Sequence, residues 1–88
     1  MEMKIATRSC TDQRGNQRNF HYFLTVDQEE TPDFFCENYG VRIAEEQGED
    51  TSIPGITTSA SRIDEISGLL VRNHVAPASL RDVVSDWL

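Results

Sequence analysis

The sequence predicts an α+β fold in which a four-stranded antiparallel β-meander is followed by two helices packed on one of its faces. The first half of the chain alternates apolar and polar residues with a period of two, which is typical of strands buried on one side. After Thr58 the apolar residues recur every three or four positions, which is typical of amphipathic helices. Strands that come first and helices that follow favour segregated layers over a parallel α/β sheet. We therefore expect one sheet face to be covered and the other to be open.

Four segments of the first half carry strand signals. The predicted strands span residues 3–10, 18–27, 34–46 and 52–57. The second is the clearest, because Phe20, Tyr22 and Leu24 share one face and aromatic or β-branched residues dominate the run. Turn residues between these runs place the first two turns at 11–16 and 28–32. Pro54 removes a backbone donor, so the fourth strand is expected at an edge of the sheet.

Two helices are predicted, over residues 61–73 and 77–87. Ser61 and Asp64 resemble a capping box at the start of the first helix. Pro77 suits the first position of the second helix, where a backbone N–H has no partner to lose. The apolar stripes comprise Ile63, Ile66 and Leu70 in the first helix and Leu80, Val83, Val84, Trp87 and Leu88 in the second. We expect both stripes to cover the sheet face that carries the apolar side chains of the second strand.

The composition describes one small acidic domain, residues 1–88. The chain has 88 residues, 8 Lys+Arg against 15 Asp+Glu, and a net charge of -7. This excess of carboxylates opposes contact with a phosphate backbone, so nucleic acid is not an expected partner. No apolar run is long enough for a membrane span. Residues 1–5 lack the apolar stretch of a secretory signal, so a cytoplasmic location is expected.

The cysteines and the acidic residues do not form a recognisable metal or redox motif. Cys10 and Cys36 lie 26 positions apart, which is neither a metal-site spacing nor a CxxC pair. In a reducing cytoplasm both are expected to be thiols. The acidic turn around Gly48 lacks the alternating ligands of an EF-hand loop, and the glycines form no phosphate-binding motif. We therefore predict no metal site and no cofactor.

The open sheet face is the predicted interaction site, with an exposed strand edge as the alternative. It comprises Arg8, His21, Phe23 and Arg42, together with Lys4. The register suggested by the turns pairs Arg8 with His21, and His21 with Gly40, which would leave a small hollow beside the imidazole. Cations around an exposed aromatic ring would dock an acidic or aromatic segment of an unidentified protein partner. An ordinary solvated sheet face is the alternative interpretation.

A small enzyme or small-molecule binder that uses His21, Arg8 and Cys36 is the competing functional hypothesis. A histidine can lower the pKa of a thiol and make it a nucleophile. In the predicted register Cys36 lies across from Thr25, away from His21, and no carboxylate is placed to orient the imidazole. We therefore favour a non-enzymatic interaction or regulatory module over an enzyme. Its oligomeric state stays open, with a homodimer as one form.

The second half of the chain also carries a recognisable residue pattern. It comprises Tyr39-Gly40-Val41, Ile43, Glu45-Glu46, Leu69-Leu70, Asn73, Val75, Pro77, Leu80, Asp82-Val83-Val84, Asp86 and Leu88. From residue 39 to residue 88 this pattern resembles an uncharacterised family, a domain of unknown function in short proteins of clostridia and related Firmicutes. The resemblance implies an intracellular protein of a Gram-positive organism. It implies no activity, cofactor or catalytic residue.

Overall fold

Alternating side chains build a four-stranded antiparallel sheet, and two helices pack on one face of it. The computed structural model describes all residues, 1–88. The strands are β1 (Glu2–Thr11), β2 (Gln17–Glu30), β3 (Phe35–Glu45) and β4 (Asp50–Thr57), and they lie side by side in chain order. Helix α1 (Ala60–Arg72), a 3-10 turn (Pro77–Ser79) and helix α2 (Leu80–Trp87) follow. The predicted α+β fold class is confirmed, and neither helix has the length or the apolar composition needed to cross a membrane.

The core lies between the helices and the face of the sheet that carries the apolar side chains of β2 and β3. Its buried members are Phe20, Tyr22, Val41, Ile43, Ile63, Ile66, Leu70, Val75, Leu80 and Val84. Tyr22 is 1% exposed, and its hydroxyl donates a hydrogen bond to the Val75 carbonyl oxygen at 2.9 Å. This bond joins the sheet to the segment between the two helices. Burial raises the pKa of Tyr22 to about 12.

The helix ends differ from the predicted ones. Ser59 caps α1, and its hydroxyl accepts a hydrogen bond from the Arg62 backbone N–H at 3.3 Å. The predicted cap at Ser61 is therefore wrong by two residues, because Ser59 is the residue with extended backbone angles immediately before the helix. The second predicted helix is split into the 3-10 turn and α2. Leu88, predicted as part of its stripe, is exposed.

The turn between β2 and β3 lies two residues later than predicted. Residues 28–30, predicted as turn, pair with residues 35–37, and the chain reverses at 31–34. Phe23 therefore lies opposite Arg42, and Thr25 lies opposite Gly40. The predicted pairing of His21 with Gly40 is wrong, since His21 lies opposite Ala44. A shift by an even number of residues leaves every side chain on its predicted face.

A β-bulge at Ile5 changes the faces of β1. Lys4 lies opposite Phe23, and Ala6 lies opposite Tyr22. Because Phe23 and Tyr22 are adjacent, Ile5 has no cross-strand partner in β2. An extra residue in one strand reverses the alternation beyond it. From Ala6 onward the even-numbered residues of β1 therefore point to the helices, whereas the sequence pattern predicts the reverse.

Strands β2 and β3 extend beyond their neighbours. The last β1 residue that pairs with β2 on this side is Glu2, opposite Thr25, and β4 reaches β3 no further than Tyr39. Residues 27–38 therefore form a two-stranded ribbon, which we call the arm. The molecule measures 55 × 24 × 17 Å, with a radius of gyration of 14.1 Å. A compact domain of this length would have about 12 Å.

Candidate functional site

The sheet face opposite the helices is not covered by any other element, and we call it the uncovered sheet face. It carries the odd-numbered residues of β2 and the even-numbered residues of β3. Their neighbours Tyr22 and Ile43 point the other way into the core, and neither Phe23 nor His21 belongs to the core cluster. The predicted layout of covered and uncovered faces in β2 and β3 is therefore confirmed.

Phe23 and Arg42 form the centre of the uncovered sheet face. They are cross-strand partners, and the Arg42 guanidinium lies 4.7 Å from the centroid of the Phe23 ring. This is the distance of a cation–π contact. The guanidinium covers part of the ring, and Phe23 is half-buried as a result. The structure thus brings together two of the predicted site residues.

Arg42 is already bound to two carboxylates of the same chain. Its Nε donates to Asp50 at 2.8 Å, its second terminal nitrogen also reaches Asp50, and its first donates to Glu2 at 2.6 Å. The hydrogen bonds that Arg42 donates to Asp50 raise the pKa of Arg42 further above its usual range. In return Arg42 lowers the pKa of Asp50. The guanidinium therefore has few free donors left for an acidic partner.

His21 lies in a polar chain along the same face. Its Nε2 lies 3.0 Å from a carboxylate oxygen of Glu46, and its Nδ1 lies 3.2 Å from the Thr7 hydroxyl. A carboxylate can only accept, so Nε2 carries the proton of this hydrogen bond. Glu46 also accepts from Asn19 at 3.2 Å. The bonds from His21 and then Asn19 lower the pKa of Glu46.

Glu46 is a site residue that the sequence analysis missed. The prediction that no carboxylate orients His21 is wrong, because β3 carries Glu46 to the end of the sheet beside the imidazole. The acidic residues after Ile43 are visible in the sequence, but only the correct strand register shows that one of them lies beside the imidazole. Glu2 and Asp50 were missed for the same reason, since each becomes a neighbour of Arg42 only through strand pairing.

Arg8 does not belong to the uncovered sheet face. The bulge at Ile5 places Arg8 opposite Phe20, a core residue, and on the side of the helices. The predicted position of Arg8 beside His21 is therefore wrong, and the partner of His21 across β1 is Thr7.

The two cysteines are also separated from His21. Cys10 pairs with Arg18 and packs against the helix side of the sheet. Cys36 pairs with Glu29 in the arm rather than with Thr25, as predicted. Both are free thiols. The structure therefore does not bring together the predicted set of His21, Arg8 and Cys36. No group of three or more His, Cys, Asp or Glu side chains is arranged to hold a metal ion.

One cavity opens on the uncovered sheet face, with a volume of about 330 Å³. It is lined by Met1, Glu2, Thr25, Asp27, Arg42, Ser52 and Pro54. The hollow predicted beside His21 therefore lies beside Arg42 instead. Gly40 does not line this cavity. It permits the close packing of β4 on β3, since a Cβ atom there would collide with the Ile53 carbonyl and lie 2.7 Å from Thr25 Oγ1. That hydroxyl oxygen is buried without a hydrogen-bond partner.

Comparison with known proteins places the whole chain in one family. A family described as a family of unknown function, DUF6514, matches residues 1–88. The match includes the first 38 residues, where the sequence pattern showed no resemblance. No curated protein and no solved structure matches the chain. With its full length matched, the chain belongs to the family of unknown function DUF6514.

Proposed function

We propose that this chain is a non-enzymatic protein-interaction module that binds its partner through the uncovered sheet face, with Phe23 and Arg42 at the centre. The observation that carries the proposal is the stacking of these two side chains on a face that no element covers. Aromatic residues and arginine are enriched among the residues that dominate binding energy. Because Glu2 and Asp50 hold the guanidinium in place, little side-chain freedom is lost on binding.

The charges of this face favour a basic segment of the partner. Around the paired Arg42, carboxylates outnumber cations. The face carries Glu2, Asp27, Glu29, Glu46 and Asp50 against Lys4 and Arg42. The cavity offers the carboxylate of Asp27 and the hydroxyl of Ser52 to an entering group. A lysine or arginine side chain of an extended partner segment matches these groups in charge and in hydrogen bonding.

A second copy of the chain is a less suitable partner for this face. It would bring two surfaces with the same surplus of carboxylates together, and like charges disfavour association. The proposed partner is therefore a different, basic protein.

Both cysteines are free, in keeping with the expected reducing cytoplasm.

The competing hypothesis of a small enzyme is supported by one observation, the chain of Thr7, His21 and Glu46. A hydroxyl, an imidazole and a carboxylate in this order are the arrangement of nucleophilic catalysis. However, the Glu46 side chain is 55% exposed, and the cavity lies at Thr25 and Arg42 rather than at Thr7. The geometry thus favours the interaction module.

Two short peptides test the proposal against the isotope-labelled chain by NMR. One alternates arginine with threonine, and the other alternates glutamate with threonine. We expect the arginine peptide to shift the amide signals of Thr25, Asp27 and Ser52, and the glutamate peptide to leave them unchanged. Asp27→Asn is expected to weaken binding by about tenfold. Asp33→Asn, a matched change at an exposed carboxylate outside the cavity, should retain binding.

The opposite result is equally informative. Shifts caused by the glutamate peptide, or arginine-peptide shifts that Asp27→Asn leaves intact, would refute the basic-partner proposal. Variants of Phe23 complete the test. Phe23→Ala should reduce the affinity for the arginine peptide while the thermal unfolding transition stays cooperative, since Phe23 is outside the core cluster.

A further inference from the structure

The arm, residues 27–38, projects from the folded body without a third strand or a helix beside it. All residues from Asp27 to Phe35 are exposed. An isolated two-stranded ribbon is marginally stable in water, because independent stability needs a third strand or packing against a helix. The arm is nevertheless a continuous ladder that ends with the pair of Glu30 and Phe35.

The tip of the arm presents two phenylalanine rings on an ordered turn. Phe34 is 58% exposed and Phe35 is 56% exposed. The turn is closed by the Thr31 backbone N–H, which donates to the Phe34 carbonyl oxygen at 2.8 Å, and by the Thr31 hydroxyl, which accepts from the Phe34 N–H at 3.1 Å. Pro32 restricts the backbone between them. Two large apolar side chains are thus displayed in a preorganised form, which lowers the entropy lost on binding.

The arm is strongly acidic. It carries five carboxylates and no lysine or arginine. These are Asp27, Glu29, Glu30, Asp33 and Glu37. The net charge of the whole chain is -7, so most of it resides on these twelve residues. An apolar tip on an acidic stem is complementary to an apolar pocket with a basic rim.

We propose that the arm is a docking element, which inserts Phe34 and Phe35 into an apolar pocket rimmed by lysine or arginine side chains on a second, basic protein. Two arms of this chain would repel each other, and an anionic membrane surface would repel the stem. The tip of the arm, with Phe34 and Phe35, does not line the cavity beside Arg42, and the arm contributes only Asp27 to that cavity. Binding at the tip can therefore be tested separately from binding in the cavity.

Photo-crosslinking in the cells that contain this chain identifies the partner. The full chain carries Phe34→p-benzoylphenylalanine, and a control carries the same residue at Ile5, an exposed apolar position away from the arm. We expect one protein to crosslink at position 34 and not at position 5. Mass spectrometry identifies it, and the purified protein is then titrated with the purified chain by calorimetry.

The titration measures both parts of the proposal. Phe34→Ala with Phe35→Ala is expected to weaken binding by about 30-fold or more. Replacing Glu29, Glu30, Asp33 and Glu37 by their amides should weaken binding by about tenfold and flatten its dependence on salt. The matched control replaces four exposed carboxylates outside the arm, Glu49, Asp64, Glu65 and Asp86, and should leave the affinity within about twofold.

Several outcomes would overturn the proposal. These are the absence of a crosslink specific to position 34, a crosslink to a second copy of the chain or to lipid, and equal losses from the arm and control amide variants. Circular dichroism of each variant establishes that it is folded. If the double alanine variant unfolds, the amide variants and the salt dependence decide the result alone. Retained binding of the arginine peptide to the arm variants separates this proposal from the one for the uncovered sheet face.

Discussion

Tyr22 joins two layers of the molecule through one buried hydrogen bond. Its ring packs in the core, and its hydroxyl donates to the Val75 carbonyl oxygen between the helices. Tyr22→Phe removes the donor and leaves that carbonyl oxygen without a partner. We expect the free energy of unfolding to fall by about 1–2 kcal/mol in urea titrations. Tyr39→Phe, a change at a half-buried tyrosine of the same sheet face, is the control and should cost less.

Tyr22 also makes stability depend on alkaline pH. Its pKa of about 12 in the folded state exceeds the ordinary value of 10.0, because burial disfavours the phenolate. The folded state thus holds the proton more tightly than the unfolded state. The stabilisation is complete below pH 10 and is lost as the pH rises towards 12. The wild-type chain should therefore lose more stability than Tyr22→Phe over this interval, and equal losses would contradict the assignment.

Arg42 shows how strand pairing changes the chemistry of a residue. In the sequence it is a cation on an open face, and it predicts an acidic partner. In the structure Glu2 and Asp50 bind the guanidinium and hold it in place, and the carboxylates around it outnumber the cations. Asp50 lies 8 residues from Arg42, across the turn between β3 and β4, and Glu2 lies 40 residues away, so strand pairing brings both carboxylates to the guanidinium.

Two serines near the start of α1 are both plausible N-caps in the sequence, but only one of them caps the helix. Ser59 accepts from the Arg62 N–H, whereas Ser61 lies inside the helix. Ser59→Ala is expected to destabilise the protein by about 1 kcal/mol in thermal or urea unfolding. Ser61→Ala is the matched control and should be nearly neutral. A larger loss from Ser61→Ala would restore the cap predicted from the sequence.

The bulge at Ile5 makes an unusual deletion tolerable. Lys4 and Ala6 lie opposite Phe23 and Tyr22, which are adjacent in β2. Deletion of Ile5 therefore leaves a regular ladder with every other pair intact. We expect the deletion variant to keep its fold, with a free energy of unfolding within about 1 kcal/mol of the wild type.

Deletion of Thr7 is the control for the bulge. It would move the residues on one side of the deletion to the opposite face, so it should destabilise the chain clearly more in the same urea titration. Equal effects of the two deletions would mean that β1 has another register.

At the scale of the whole molecule, the arm accounts for the elongated shape. Gln28 and Glu37 are cross-strand partners, so an Asn-Gly turn can replace residues 29–36 between them. We expect the shortened chain to unfold cooperatively at a similar temperature, because no residue of the core cluster is removed. In small-angle scattering its radius of gyration should fall towards about 12 Å. Loss of the folded state on this replacement would show that the arm supports the body.

Local patterns of the sequence were sufficient for the architecture. Alternation assigned residues of β2 and β3 to the correct faces, and the change of period after Thr58 marked the transition from strands to helices. These features are local because side-chain direction in a strand or helix follows from backbone geometry alone. The core residues Tyr22, Val41 and Ile66 could therefore be predicted without knowledge of their contacts.

The register, the bulge and the arm were decided only by the tertiary structure. A four-residue shift of β3 against β2, from Gly40 to Ala44 opposite His21, preserves both faces, so the hydrophobic pattern does not distinguish the two alignments. The bulge at Ile5 depends on which side chains of β1 can be buried against β2. The arm is rich in glutamate, which is depleted in strands, so its sequence does not predict a strand; the pairing of β2 with β3 forms it. The same distinction applies to the candidate site. The sequence predicted which sheet face carries Arg42 and His21, but the residues that contact them are set by strand pairing, which local alternation does not encode.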